Sequence, residues 1–273
     1  MIIILLLMFL PLSWTYCDLN SLSLLLDDRL YFPKSKEYQF SVVLANNVCS
    51  KNCPTAVVHP KSENDIQILM NFVYTCRNDG YEYSVSVRGG GHGYNCDAMK
   101  KDSILIDMRP HFSSYKIDKE QLHIKVGSGV VFSDILPVLE KQNPPLHMVH
   151  GQCTQVGVSG FTLHGGVHFG GISELHGLGS DNIIGATVVI SDGTVVTMKE
   201  EKLVYGSSEE SSFSDHHGES SRGGYLDGVY SYETDAHVSS DSNSYTICKM
   251  WIKSNSLQSS IITPNNLNGS SSS

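Results

Sequence analysis

The stretch Arg88-Gly89-Gly90-Gly91-His92-Gly93-Tyr94 follows directly on the alternating run Tyr83-Ser84-Val85-Ser86-Val87 and precedes the apolar run Ser103-Ile104-Leu105-Ile106-Asp107. Consecutive glycines permit positive φ angles and let backbone N–H groups come close to another backbone or to an anion. The plain alternative is a permissive turn in which His92 is an ordinary polar loop residue. Upstream, Ala56-Val57-Val58 reads as a short buried strand. Ile66, Leu69, Met70, Phe72, Val73 and Cys76 recur at helical spacing behind Ser62, which with Asp65 forms a capping-box pattern, and Asn78-Asp79-Gly80 ends the helix. These pieces make a strand–helix–strand unit with a parallel core.

A second group follows. Leu122, Ile124 and Val126 alternate on a strand, Gly127-Ser128-Gly129 turns, a helix is expected from about Ser133 to Lys141, and Pro144-Pro145 ends it. Ile184 to Ile190 and Thr194 to Met198 flank Ser191-Asp192-Gly193, a hairpin signal because Asp-Gly tolerates positive φ. Between helix and hairpin lies a second glycine-rich cluster, Gly151 to Gly166, holding Cys153. The expected fold class is α+β, with two α/β subdomains: a small parallel unit over about 45–110 and a mixed sheet with helices over 111–205. No internal repeat is visible.

Beyond Tyr205 the character changes. From Gly206 to Asp241 there are eight acidic residues against Arg222 alone, and Ser and Gly dominate apart from a short apolar piece around Ile247 to Ile252. Such a segment buries too little apolar surface to offset its ordering entropy, so 206–273 is expected to be a disordered tail. The formal net charge of −9 argues against a nucleic-acid partner, which needs a surplus of Lys and Arg.

At the other end, Ile2 to Leu12 is an apolar run too short to span a bilayer and suited to a signal-peptide core, with cleavage near Cys17 and a linker over 18–44. A buried strand is the alternative, though no turn signal or alternation marks one. Secretion would leave Cys49, Cys53, Cys76, Cys96, Cys153 and Cys248 in an oxidising compartment, where some should pair. Cys76 with Cys49 or Cys53 is one possible bridge; Cys96 is either free or joined to Cys248. Five histidines, His147, His150, His164, His168 and His176, lie close together in sequence. Gly165, Gly166, Gly170 and Gly171 work against a helix that would align them, and no acid or cysteine completes a ligand set, so no metal is expected.

The order and separation of the two glycine clusters resemble the FAD-binding domain of the vanillyl-alcohol-oxidase superfamily (PCMH type), in particular the berberine-bridge-enzyme-like oxidases. Members carry an Arg-Ser/Gly-Gly-Gly-His loop, a Gly-x-Cys followed by Val-Gly-Val-x-Gly, a Gly-Gly pair, and an Asp-Asn dipeptide before a hairpin. The matching positions are Arg88 to His92, Gly151 to Gly160, Gly165-Gly166 and Asp181-Asn182. The resemblance covers roughly residues 45 to 200.

It implies FAD held by Arg88, Gly89, Gly90, Gly91, His92, Gly93 and Tyr94 of the first loop, by Cys153, Val156, Gly157, Gly160, Gly165 and Gly166 of the second, and by Asp181, Asn182 and Ile184 beyond it. It also implies covalent links from His92 to the 8α carbon and from Cys153 to C6 of the flavin, a disulfide being the other reading of Cys153. The activity implied is hydride transfer from a substrate C–H bond to flavin N5, with oxygen as the final acceptor. Two departures stand out. His164-Gly165-Gly166 and Val167-His168 replace a glycine triplet and an aromatic-glycine pair, and the segments that follow the hairpin in relatives are not recognisable. The substrate domain is therefore expected to be missing, and no catalytic base is assignable.

Overall fold

A computed structural model of the protein describes residues 17–200, 230–233 and 245–256. Its helices are α1 (Leu19–Leu25), α2 (Lys36–Ser41), α3 (Glu63–Asn78), α4 (Phe132–Glu140), α5 (Val158–Leu163) and α6 (Ile172–His176). The strands are β1 (Leu30–Tyr31), β2 (Ala56–Val58), β3 (Val85–Arg88), β4 (Ile104–Asp107), β5 (Tyr115–Asp118), β6 (His123–Gly127), β7 (Leu146–His147), β8 (Ile183–Ile190), β9 (Val195–Glu200), β10 (Tyr230–Glu233), β11 (Tyr245–Lys253) and β12 (Asn255–Ser256).

Two sheets carry the architecture. The smaller has the order β1-β2-β4-β3, with β2, β4 and β3 parallel as expected and β1 antiparallel at the edge. The larger is antiparallel with the order β10-β9-β8-β11-β6-β5, and β7 pairs with β12 separately. Helix α3 joins the two sheets: Ile66, Leu69, Met70, Phe72 and Cys76 share one core with Ile104 and Ile106 of the small sheet and Val189 and Cys248 of the large one. A second core, around Phe132, Ile135 and Leu139 of α4, covers the large sheet through Ile124, Val126, Val188 and Met250.

Local chemistry sets the ends of α3. The Ser62 hydroxyl accepts from the Asp65 N–H at 3.4 Å, and the Asp65 carboxylate accepts from the N–H groups of Ser62 at 3.2 Å and Lys61 at 2.7 Å. That buried carboxylate also takes a hydrogen bond of 2.6 Å from Arg29, tying the helix start to the chain ahead of β2. Gly80, at φ +87°, follows the C-terminus. The hairpin between β8 and β9 turns on Gly193 at φ +86°, with the Ile190 N–H donating to the Thr194 carbonyl at 2.9 Å.

Three expectations are corrected. The segment 18–44 is not a linker: Asp18 caps α1, Ser35 caps α2, and Leu22, Leu26, Leu30 and Tyr38 are buried. The tail does not run unbroken from 206, because β11 lies between β8 and β6 in the middle of the large sheet, with Thr246, Ile247, Cys248, Met250 and Ile252 buried. Its apolar surface is satisfied by strands more than fifty residues earlier in sequence, which local composition cannot reveal. The rest of the expected tail, 201–229, 234–244 and 257–273, lies outside the described residues.

The cysteine pairing also differs, as Cys76 bonds to Cys17 and Cys96 to Cys49, with Cys53, Cys153 and Cys248 free. Cys17 thus belongs to the folded body, and the rest of the expected leader, 1–16, lies outside the described residues. No helix among the described residues is long and apolar enough to cross a membrane.

The double role of Asp65 gives a graded prediction. Ser62→Ala should cost about 1 kcal/mol, the usual worth of a cap. Asp65→Ala should cost about 3 kcal/mol, because it also takes the buried carboxylate from the Arg29 guanidinium, which keeps only the exposed Asp27. Urea unfolding of the two variants measures the difference, and equal losses would refute the second role.

Candidate functional site

The glycine loop leaves the C-terminal end of β3, where Arg88 stands opposite Asp107 of β4 in the parallel register. The Arg88 side chain turns back under the loop: Nη1 donates to Asp107 Oδ2 at 2.9 Å and to the Ser41 carbonyl at 3.1 Å. His59 lies beside the same carboxylate, its Nε2 3.9 Å from Asp107 Oδ2 and 2.8 Å from the Ser41 hydroxyl. Burial pushes the His59 pKa below its ordinary 6.5; Asp107 opposes this, and His111 and Arg88 add to it. A buried polar group of this kind fixes backbone direction, and here it fixes the exit of β3.

The second cluster is held beside the strand-like entry to α4. The Val158 N–H donates to the Val130 carbonyl at 2.9 Å, Phe132 N–H to Val156 at 3.1 Å and Ser133 N–H to Thr154 at 2.7 Å. The turn that starts α4 is braced by Asp134, which accepts from the Val131 N–H at 3.0 Å and pairs with Arg109. Burial raises the Asp134 pKa, but the hydrogen bonds from Arg109 and Val131 outweigh it and hold the carboxyl below its ordinary value.

The two clusters meet backbone to backbone. A methyl group added to Gly90 would overlap the Gly157 nitrogen, and one added to Gly157 would lie 2.5 Å from the Gly90 nitrogen. No side chain fits at either place. Gly91 continues the loop at φ +70°, a conformation that L side chains rarely adopt. Among the described residues, the N–H groups of Gly90, Gly91, His92 and Gly93 have no protein acceptor. Four consecutive amides without a protein acceptor, on a loop that lines a cleft, are donors available to an anion.

That cleft measures about 1140 Å³, and the structure brings most of the predicted residues to it: Gly89 to Tyr94 from the first loop, and Cys153, Val156, Gly157, Gly160 and Gly166 from the second. Five predicted residues stand elsewhere. Arg88 faces a neighbouring cavity of about 300 Å³, which shares Gly89, Gly90 and His92 with the cleft and includes Arg109. Gly165 and the Asp181-Asn182 pair shape the loop after α5. The Gly165 carbonyl accepts from the Ser180 N–H at 2.9 Å, Asp181 caps Leu178 N–H at 2.8 Å, and the buried Asn182 amide donates to the carbonyls of His176 and Leu178 at 2.9 and 2.7 Å. Ile184 is buried within β8.

Sequence reading missed several lining residues. Met70 of α3 was read only as core, and Lys100, Phe161, Leu163 and Thr246 of β11 also reach the cleft. Lys100 adds a basic residue to the cleft lining, and its place eight positions after the histidine was the available signal. Thr246 carried none, since it fell in the presumed tail. Four of the five histidines lie near one another, and His164 bonds instead to the Gly160 carbonyl. His147 and His176 meet through their Nε2 atoms at 2.8 Å, and the His168 ring donates to the His150 carbonyl at 2.6 Å. Burial, with His176 and His150 nearby, holds the His147 pKa below 6.5.

The donor set fits a flavin dinucleotide. Open amides suit a pyrophosphate, Met70, Val85, Phe161 and Leu163 offer an apolar wall to a ring system, and His92 with the free, exposed Cys153 offers two nucleophiles in the same cleft. Fold and site together define a module for binding a dinucleotide cofactor between two α/β units. The chain belongs to the FAD binding domain family, which matches residues 54–199, more than half of its length.

It is 39% identical over 123 residues to (R)-6-hydroxynicotine oxidase of Paenarthrobacter nicotinovorans, an alignment covering 45% of this chain and 25% of that protein. Among solved structures it resembles the berberine-bridge-enzyme-like protein 1 of Physcomitrella patens, with a TM-score of 0.57 and 27% identity over 67% of this chain and 38% of that one. It shares the fold of glucooligosaccharide oxidase from Acremonium strictum, with a TM-score of 0.57 and 23% identity over 66% of this chain and 36% of the other. The chain spans between a quarter and just over a third of the length of the curated relatives it matches.

Two predictions follow from the geometry. Gly157→Ala should lose about 1–3 kcal/mol, since the added carbon meets backbone. Gly160→Ala, whose added carbon meets nothing within 4 Å on α5, should be neutral or gain up to about 1 kcal/mol from helix propensity. Similar losses in both, by thermal or urea unfolding, would disprove the backbone contact.

The second prediction concerns pH. His59 and His147 take up protons near 6.5 when unfolded but resist them when folded, so their stability is present above 6.5 and is lost as pH falls through the lowered folded values. The unfolding midpoint should drop below pH 6.5, and His59→Gln should flatten part of that drop. An unchanged slope would show that His59 protonates freely in the folded protein.

Proposed function

We propose that this chain is the cofactor-holding part of a secreted FAD-dependent oxidase, with the flavin attached to both His92 and Cys153. The observation that carries the reading is that the two nucleophiles, one from each glycine cluster, line a single cleft whose first loop leaves four amides open. Glucooligosaccharide oxidase from Acremonium strictum holds a 6-S-cysteinyl, 8α-N1-histidyl FAD, which is the chemistry proposed here for His92 and Cys153. Cys153 is free for such a bond, while the two disulfides engage other cysteines. Those disulfides also support an oxidising, secretory location.

When bound, FAD would supply a hydride acceptor for a substrate C–H bond, with oxygen as the final acceptor of the two electrons and hydrogen peroxide as the product. The amides of Gly90 to Gly93 would hold its pyrophosphate, with Lys100 as a basic residue of the same cleft. Attachment at His92 exchanges an imidazole N–H and an 8α C–H for one N–C bond. Attachment at Cys153 exchanges an S–H and a ring C–H for one C–S bond, and in each case two protons and two electrons leave to oxygen. The attacking atoms would be the His92 ring nitrogen and the Cys153 sulfur. The substrate is a small molecule of a class that the cleft lining does not select. Val167-His168, with Val167 on the cleft wall and His168 hydrogen-bonded behind it, alters the wall where relatives carry an aromatic-glycine pair.

Acid precipitation tests the attachment directly. Wild-type chain made in an oxidising compartment should keep its flavin on the pellet. His92→Ala and Cys153→Ala should each keep it through the remaining bond, and only the double variant should release it. Complete release from the wild type would overturn the covalent reading. Peroxide formation on a panel of alcohols and sugars separates an oxidase from a flavin-binding module without turnover.

A further inference from the structure

We propose that the Cys49–Cys96 disulfide is a positioning device for His92, fixing the arc of chain that carries the imidazole into the cleft. The inference rests on the reading of His92 as a flavin attachment point. Ahead of His92 the loop is well held, by the β3–β4 ladder, the Arg88–Asp107 pair and the Gly90–Gly157 contact. Past it the chain swings outward: Gly93, Asn95 and Asp97 are exposed, and the Tyr94 ring is 91% exposed. Such an arc has no core of its own to hold it.

Residues 44–49 brace the loop on both sides of His92, and beyond Cys96 the buried Met99 ends the arc, its carbonyl accepting from Asn52 Nδ2 at 3.3 Å. The Ala45 N–H donates to the Gly91 carbonyl at 3.2 Å, Asn46 Nδ2 donates to the Tyr94 carbonyl at 3.2 Å, and Leu44 packs under Gly91. Hydrogen bonds at exposed positions are weak restraints, because water competes for both partners. The covalent restraint is the bond from Cys49, fully buried among Tyr38, Leu44, Val57, Met99 and Leu105, to Cys96, four residues after His92. It pins the outward arc to a rigid core. Attachment chemistry is sensitive to such placement, since displacement of a reacting atom by about 1 Å can cost two orders of magnitude in rate.

The second disulfide provides the control. Cys17–Cys76 closes a comparable stretch, 59 residues against 47, so both bridges restrict the unfolded chain to a similar degree. No cysteine of either bridge lines the cleft, but Cys96 lies between Asn95 and Asp97, which do, and Cys17 has no such neighbours. A purely structural role predicts the same consequences for both bridges.

The experiment compares Cys49→Ala/Cys96→Ala with Cys17→Ala/Cys76→Ala in the full chain, produced with FAD. Peptide mass spectrometry reads flavin occupancy at His92 and at Cys153, and hydrogen exchange of the FAD-free chain reads the amides of 93–97. Loss of Cys49–Cys96 should cut His92 occupancy at least tenfold, leave Cys153 occupancy within twofold, and speed exchange across 93–97. Loss of Cys17–Cys76 should lower the melting temperature and change none of these.

Unchanged His92 occupancy without Cys49–Cys96, or parallel losses in both variants, would overturn the proposal. If wild-type chain carries no flavin on His92, the covalent reading fails, and hydrogen exchange alone decides the positioning role; unchanged exchange would then refute it. Should the first variant not accumulate, Cys96→Ser, which leaves the buried Cys49 thiol in place, carries the same expectations.

Discussion

Two peptide planes, at Gly90 and Gly157, meet where no side chain can intervene, and the cleft exists because they do. One plane belongs to the loop leaving β3 of the small sheet, the other to the turn that opens α5 beside the antiparallel sheet. Their approach spends no amide of the first loop on the second cluster, and among the described residues the N–H groups of 90–93 have no protein acceptor. A bulkier residue at either position would separate the loops and move His92 away from Cys153. The glycines are thus required by a tertiary contact as well as by backbone conformation.

Beneath this contact lies a buried polar group that makes the loop's direction reproducible. Asp107 is almost fully buried and takes Arg88 on one side, with His59 and Ser41 completing the set. Arg88 stands next to the glycine run because the last pair of the parallel register puts it against Asp107. A buried Arg–Asp pair is a poor source of net stability, but removing one partner is costly, so its value here is geometric. On the other side, the Arg109–Asp134 pair braces the start of α4, against which the Cys153 turn is hydrogen-bonded. Each nucleophile is therefore carried by a loop whose root is an ion pair on a regular element.

What the amino-acid sequence made legible was whatever depended on near neighbours. Ser62 and Asp65 announce the start of α3, and Asp192-Gly193 announces the β8–β9 hairpin, because both signals are satisfied within a few residues. The parallel unit followed from its strand and helix periods. Strand β11 was invisible as structure, since its partners β6 and β8 are distant and its flanks are rich in serine and acid. Helices α1 and α2 were read as linker because each is only seven or six residues long and gains its stability from tertiary burial of Leu22, Leu26 and Tyr38. The disulfides were mispaired, as cysteine spacing does not encode connectivity.

At the site, the motif picks out the two loops that line the cleft, though not every residue in it lines the same space. The Arg88 guanidinium is engaged with Asp107 and Ser41, and the Asp181-Asn182 pair caps the loop after α6, outside the cleft lining. The central claim, that two loops from two subdomains converge on one flavin, is tested most directly by digesting flavin-loaded protein after reduction and searching for a flavin that joins two peptides. The account predicts one species in which a single flavin links the peptide containing His92 to the peptide containing Cys153. Flavin on only one of these peptides, or two flavins each on its own peptide, would contradict it.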